Sequence, residues 1–234
     1  MDFETNKNKI WIIFISFGLI LSLSIVLIVE IYFQSNAQKV ALKNALNKAT
    51  ERENLIYSFL GVSKEKLFSL RNSKYFVEYL KGNNNEAFIN ELFYIYSKSN
   101  SNFFQLRYID KNGIEKIRID RNHKNSEPYI ISKDKLSNKS NRYYFTDSKS
   151  KQLEKVWFSA IDLNMENKKV QKPYVPTLRA ILPIEQNGEF GGILIINYFM
   201  DDFIANFSNT PLYDLILSNK YGETIFHYSL NCVC

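Results

Sequence analysis

Cysteine is almost missing from this 234-residue sequence, which contains only Cys232 and Cys234. A C-x-C pair is too short for an easy intrachain disulfide and lacks companions at zinc-ligand spacing, so neither device is expected to hold the chain together. Histidine is equally scarce. His123 and His227 have no cysteine, histidine or carboxylate neighbours at metal-ligand spacing, and no metal or other cofactor is expected. Glycine, at 8 residues, and proline, at 5, fall well below average usage, which excludes collagen-like and low-complexity chains and calls for regular secondary structure. The sequence also has no G-x-S-x-G elbow, no Walker phosphate loop, no G-x-G-x-x-G fingerprint and no H-E-x-x-H pair. Acyl, phosphoryl and hydride transfer lose their usual signatures, so this chain is not expected to be an enzyme.

Apolar and aromatic mass is abundant, at 45% and 15% of residues, enough for a real core. Some of it lies outside any core, because Ile10 to Val29 runs twenty residues without a charge. At about 1.5 Å per residue such a helix crosses the ~30 Å hydrocarbon layer. Trp11 and Tyr32 sit where interfacial aromatics belong, and Lys7 and Lys9 precede the span. Ile10–Phe33 therefore reads as a membrane helix embedded in a lipid bilayer. A cleaved signal peptide is the competing reading, since Ser35-Asn36-Ala37 offers small residues, but signal-peptide apolar cores are only about 7–15 residues long.

Lysines flank both ends of the span, Lys7 and Lys9 against Lys39, Lys43 and Lys48, so charge alone does not orient it. Long domains cross largely regardless of charge, which favours a short cytoplasmic tail, 1–9, with the bulk of the chain outside. The formal charge is +6, with 30 basic and 24 acidic residues, yet the charges are scattered and Lys outnumbers Arg 23 to 7. No dense basic stripe marks a nucleic-acid partner.

From about 38 to 80, Val40, Ala41, Ala45, Leu55, Ile56, Phe59, Leu60, Leu67 and Leu70 recur at helical spacing in a Lys/Glu-rich background. A long helix is predicted to continue from the membrane, with Gly61 and Asn72-Ser73 as places to bend or break. It allows a parallel homodimer, although the spacing is too irregular for a heptad coiled coil. A turn at Lys81–Asn85 precedes a second helix, Glu86 to Tyr96. The period then changes to that of strands. Phe104–Asp110 and Ile114–Asp120 form a hairpin around Lys111-Asn112-Gly113, and further strands are predicted at Val156–Ile161, Thr177–Ile184 and Gly191–Tyr198, the last two joined at Gln186-Asn187-Gly188. Helices followed by an antiparallel meander describe an α+β domain with helices on one sheet face. Leu215 to Phe226 repeats the logic of the first hairpin around Asn219-Lys220-Tyr221-Gly222, as if a second module began.

Asp162 and Glu166 stand four apart and invite an acid/base reading, but turn-capping carboxylates are far commoner. The stronger signal is arginine. Five of the seven, Arg107, Arg118, Arg121, Arg142 and Arg179, fall in the sheet region. Arg118 alternates against Ile117 and Ile119, and Arg179 against Leu178 and Ala180, so both point away from the apolar face. They are surface or strand-pairing charges, or they line a polar pocket opposite the helices, where a guanidinium fork suits a carboxylate. Tyr143, Tyr144, Phe145 and Trp157 would wall such a pocket or fill the core.

Five ordered stretches carry a family likeness: Gly113–Asp120, Asn138–Phe145, Ser159–Glu166, Pro173–Ala180 and Gly192–Asn197. Together they resemble the membrane-distal half of the bacterial double Cache (PAS-like, PDC-type) extracytoplasmic sensor domains, over about residues 38–226. The resemblance implies a long helix rising from the inner membrane, a five-stranded antiparallel PAS-like sheet, and a ligand cavity between the sheet and loops on its outer face. It divides the chain into a tail (1–9), a transmembrane helix (10–33), a juxtamembrane helix (34–80), a Cache domain (81–208) and an incomplete second module (209–234). The implied function is a membrane-anchored sensor for a small solute, such as a carboxylate, that lacks its own kinase, cyclase or chemoreceptor output. The alternative is an extracytoplasmic dimerisation or protein-interaction domain without a small ligand. Arg118 and Arg179 would hold the anionic group, Arg142, Tyr144 and Trp157 would frame the pocket, and Ser159 and Asp162 would meet polar substituents. Asn167 stands where the family commonly has glycine.

Overall fold

The computed structural model describes residues 2–83, 85–166, 169–208, 216–218, 224–227 and 232–233, with side chains for 9–83, 85–165 and 170–208. Two compact units divide the chain, 1–54 and 55–234. The first is built on helix α1 (Asp2–Arg71), whose residues from Leu55 onward belong to the second. In the first unit every side chain from Ile10 to Phe33 is exposed. One stretch within Lys9–Arg71 is long and apolar enough to cross a membrane. Two of its serines suit hydrocarbon, since Ser16 and Ser24 donate to the carbonyls of Ile13 and Ile20 at 2.9 and 2.8 Å.

In the second unit α1 runs through Gly61 without a break and ends at Arg71. Gly61 is held by its neighbours: the Phe59 ring packs edge-on to Tyr198 at 4.9 Å, Ser63 is buried, and Leu67 and Leu70 are fully covered. The break falls at Asn72-Ser73, where the Ser73 hydroxyl accepts from the Phe76 N–H and caps α2 (Lys74–Leu80). Asn85 caps α3 (Glu86–Lys98) in the same way, through the Phe88 N–H.

The sheet follows. β1 (Phe103–Asp110), β2 (Glu115–Asp120), β3 (Tyr129–Ile130), β4 (Trp157–Phe158), β5 (Asp162–Leu163), β8 (Pro176–Gln186) and β9 (Glu189–Phe199) form one antiparallel sheet, ordered β3-β2-β1-β9-β8-β4, with β5 also on β8. β6 (Met165–Glu166) and β7 (Lys169–Val170) make a separate two-stranded ribbon. The five strands expected are present, extended by the two-residue strands β3 and β5. One is shorter than expected: Val156–Ile161 pairs only at Trp157–Phe158. Beyond it the Ser159 hydroxyl accepts from the Arg179 N–H at 3.0 Å, a side chain taking a ladder partner's place, and the chain peels away before returning as β5. Asn187 and Gly188 both have positive φ, the backbone a two-residue hairpin turn requires. Two helices lie beyond the expected elements, α4 (Tyr143–Ser148) and α5 (Asp201–Ser208).

Strand alternation divides the sheet. Leu106, Tyr108, Ile117, Ile119, Leu178, Ala180, Leu182, Leu194, Ile196 and Tyr198 face the helices and pack with Leu67, Leu70, Phe76, Ile89 and Phe93. On the other face, Ile109, Ile181, Ile193 and Ile195 lie under Tyr144 and Phe145 of α4. Beyond them lie a polar stretch and a separate small apolar cluster of Phe104, Val175 and Phe199. In the C-terminal segment β10 (Ile216–Ser218), β11 (Thr224–His227) and β12 (Cys232–Val233) form a small antiparallel sheet. The turn residues 219–222, together with Asn167 and Cys234, lie outside the described residues, and so do the side chains of Glu166, Cys232 and His227.

Two substitutions in α1 should separate packing from helix propensity. Leu70→Ala opens a cavity at a fully buried position and should cost about 2–5 kcal/mol in urea unfolding. Gly61→Ala enters open space inside a helix and should stabilise by about 0.5–1 kcal/mol.

Candidate ligand-binding site

Three central strands put polar side chains on the face away from the helices: Gln105 and Arg107 from β1, Asn197 from β9 and Arg179 from β8. All four are nearly fully buried. They floor a cavity of about 320 Å³ whose walls come from the 137–142 loop, Tyr144 of α4, Asn164, and Met165 at the start of β6. A buried guanidinium requires partners. Arg107 donates to Asn197 Oδ1 at 3.0 Å, the Tyr144 hydroxyl at 3.3 Å and Glu115 Oε1 at 3.4 Å. Asn197 passes the chain on, donating to Gln105 Oε1 at 2.9 Å, and Gln105 donates to Asp120 at 3.4 Å. Arg179 is held by Asp162 at 2.6 Å and by the Tyr143 hydroxyl at 3.0 Å. Tyr143 in turn donates to Asp162 at 3.0 Å. Burial pushes the Tyr143 phenol upward, so it stays a neutral donor in this role.

The Tyr144 ring is the seam between the apolar and polar halves of the outer face. The guanidinium groups of Arg107, Arg142 and Arg179 lie 5.4, 5.7 and 5.8 Å from its centroid. Opposite the floor, the loop is fastened from below. Glu115 accepts from the Ser137 N–H and hydroxyl, each at 3.1 Å, and lies 3.8 Å from Lys139. Gly113, at φ +84°, lies so close to this loop that an added Cβ would stand 2.6 Å from the Ser140 backbone, and its carbonyl accepts from the Lys139 N–H at 2.7 Å. Only glycine fits both the turn and the contact. Burial alone would raise the Glu115 carboxyl, but Arg107, Arg118 and Lys139 outweigh it and hold it below its ordinary 4.5. Burial likewise draws Arg107 down, and Tyr144 and Glu115 more than restore it.

Of the residues singled out in the sequence, Arg142, Tyr144 and Arg179 line the cavity. Asp162 stands behind Arg179 as its counter-ion. Ser159 accepts from the backbone of Arg179 and donates to the Ala160 carbonyl. Trp157 packs with the Phe145 cluster and donates to the Ser148 hydroxyl at 3.2 Å. Arg118 makes a two-point pair with Asp120, at 2.8 and 2.6 Å, two residues along the same strand face. The sequence reading counted Arg107 among the sheet arginines without assigning it to the pocket, and passed over Gln105, Asn164 and Asn197. Their available signal was alternation, since Gln105 and Arg107 flank Leu106, and Asn197 breaks an apolar run at an outward position.

A polar cavity on the outer face of an antiparallel sheet, with helices packed on its inner face, is the geometry implied by the motifs. The family model for the bacterial histidine kinase sensor domain matches residues 50–215. The chain belongs to that family. Solved structures agree on the fold, and they are Cache-type sensory domains. A domain from Vibrio parahaemolyticus, of a protein described as sensory box/GGDEF, is 23% identical, with a TM-score of 0.61 over 74% of this chain and 64% of its own. The extracellular domain of a protein named as histidine kinase vpHK1S-Z8 shares 24% identity, with a TM-score of 0.61 over 76% and 62%. The sensory domain of the Campylobacter jejuni chemoreceptor Tlp3, solved with isoleucine bound, shares 13%, with a TM-score of 0.60 over 81% and 71%. The chain thus spans less than two thirds of the length of the first two. No curated protein matches it.

The sensor domain's hydrogen-bonded floor should respond to acid in a defined sense. Because the Glu115 carboxyl sits below its ordinary value, its stabilisation is complete above pH ~4.5 and is lost as pH falls through the lower folded value. Glu115→Gln, which strands a buried guanidinium, should cost about 3–5 kcal/mol at pH 7, with the gap to wild type closing at acid pH in chemical unfolding.

Proposed function

We propose that this sensor domain is the extracytoplasmic receptor for a small solute bearing a carboxylate, anchored in the bacterial cytoplasmic membrane through Ile10–Phe33. The observation that carries the reading is the cavity of about 320 Å³ floored by Arg107 and Arg179 and walled by the loop that bears Arg142. The apolar exposed helix supports the anchor, with residues 1–9 inside, the bulk of the chain outside, and 81–208 as the sensing module. The chain itself binds rather than catalyses. Catalytic or chemotactic output, from a histidine kinase, a diguanylate cyclase or a chemoreceptor, comes from other segments of the signalling protein. The isoleucine held by the Campylobacter receptor supports solutes of this size.

Signalling follows from the two-sidedness of β9. Asn197 faces the cavity while its neighbour Tyr198 packs on Phe59 of α1. A solute shifts the helix only by as much as it prefers one arrangement of β9 over another. The polar cavity favours this reading over a protein-interaction domain that has no ligand, and a parallel homodimer through α1 is compatible with it. Thermal-shift screening of the full chain in detergent, against carboxylates and amino acids, should find ligands that raise Tm. Arg179→Ala should abolish the rise. A flat response across the panel, or a shift unchanged in Arg179→Ala, would defeat the proposal.

A further inference from the structure

The charge balance of the cavity narrows the ligand class, an inference that rests on the solute-receptor reading above. Four cations line the cavity, Arg107, Lys139, Arg142 and Arg179. Two carboxylates stand behind them: Glu115, 3.4 Å from Arg107 and 3.8 Å from Lys139, and Asp162, 2.6 Å from Arg179. The four charges less these two leave a surplus of two positive charges. Arg118 and Asp120, paired at 2.6 Å, cancel each other outside it. Arg142 has no carboxylate partner among the described residues; its guanidinium rests on the Tyr144 ring at 5.7 Å.

Among the described residues lining the cavity there is no carboxylate. Glu115 and Asp162 are already engaged, each accepting from two or more donors. The remaining polar wall is amide and hydroxyl, including Ser137, Tyr144 and the pair Gln105 and Asn197, whose mutual hydrogen bond uses part of their capacity. An α-ammonium group would therefore enter a positive cavity and find amide oxygens but no counter-charge. A second anionic group would instead neutralise the surplus and meet a guanidinium fork.

We infer that the ligand is a small organic dianion, with two carboxylates or one phosphate ester, rather than a zwitterionic amino acid. Arg107 and Arg179 hold one anionic oxygen pair on the sheet, and Arg142 with Lys139 neutralises the remaining charge from the loop side.

Isothermal titration of the full chain in detergent at low salt tests this with charge-matched pairs. The probes are succinate against its monoamide succinamate, glycerol 3-phosphate against glycerol, and isoleucine as the zwitterion. At least one dianion should bind about tenfold or more tightly than its partner, and its affinity should fall with added salt. The two dianions distinguish the dicarboxylate from the phosphate ester. Arg142→Gln should lower dianion affinity about tenfold while barely moving that of succinamate. Lys139→Gln gives the same reading should the first variant unfold. If isoleucine or succinamate binds as tightly as any dianion, the charge inference is overturned while the solute-receptor reading stands. Should none of the probes bind and the wider carboxylate and amino-acid panel leave Tm unmoved, both fall together.

Discussion

A guanidinium taken out of water must be given partners, and two such groups organise the outer face of this domain. Arg107 and Arg179 are almost completely buried, yet neither draws its partners from one local segment. Arg107 gathers Glu115 from β2, Tyr144 from α4 and Asn197 from β9. Arg179 gathers Tyr143 from α4 and Asp162 from β5. These charge-assisted hydrogen bonds fix α4 and β5 to the sheet, adding to the apolar packing of Tyr144 and Phe145. Glu115 extends the same logic to the 137–139 segment, so the loop that walls the cavity is tied to its charged floor.

The helix side obeys a different rule. There the strands present an apolar surface to Leu67, Leu70, Phe76, Ile89 and Phe93, and burial from water provides the driving force. Polar contacts tie the rim: Arg71 at the end of α1 reaches Glu154 at 3.0 Å, and Gln186 donates to the Leu80 carbonyl at 2.6 Å. The two chemistries meet only through the backbone of the central strands. Neighbouring residues of β9 serve both, which is the shortest physical route from a bound solute to the long helix.

Periodicity made the framework legible. The hairpin around Gly113, the long strands of the last hairpin and the end of the helix at Asn72-Ser73 were all readable, because turns and caps are local chemistry. α4 was not, since Tyr143-Tyr144-Phe145 within a six-residue helix carries no helical period. β4 came out short because a serine side chain replaced a ladder partner. Arg118 and Arg107 show the same limit within the site. Both alternate outward from their strands, and only the fold shows Asp120 neutralising the first while the second lies on the cavity floor.

The amino-acid order alone determined which face of each strand is apolar, where turns fall, that one helix is too hydrophobic for water, and that arginine gathers in the sheet. These follow from neighbours within a few residues. Tertiary structure decided which arginines pair off away from the cavity, as Arg118 does with Asp120, and which reach across strands to line it. Those pairings join residues as distant as Arg107 and Asn197, and a charge's partner in space is fixed by strand register, which no single stretch of sequence contains.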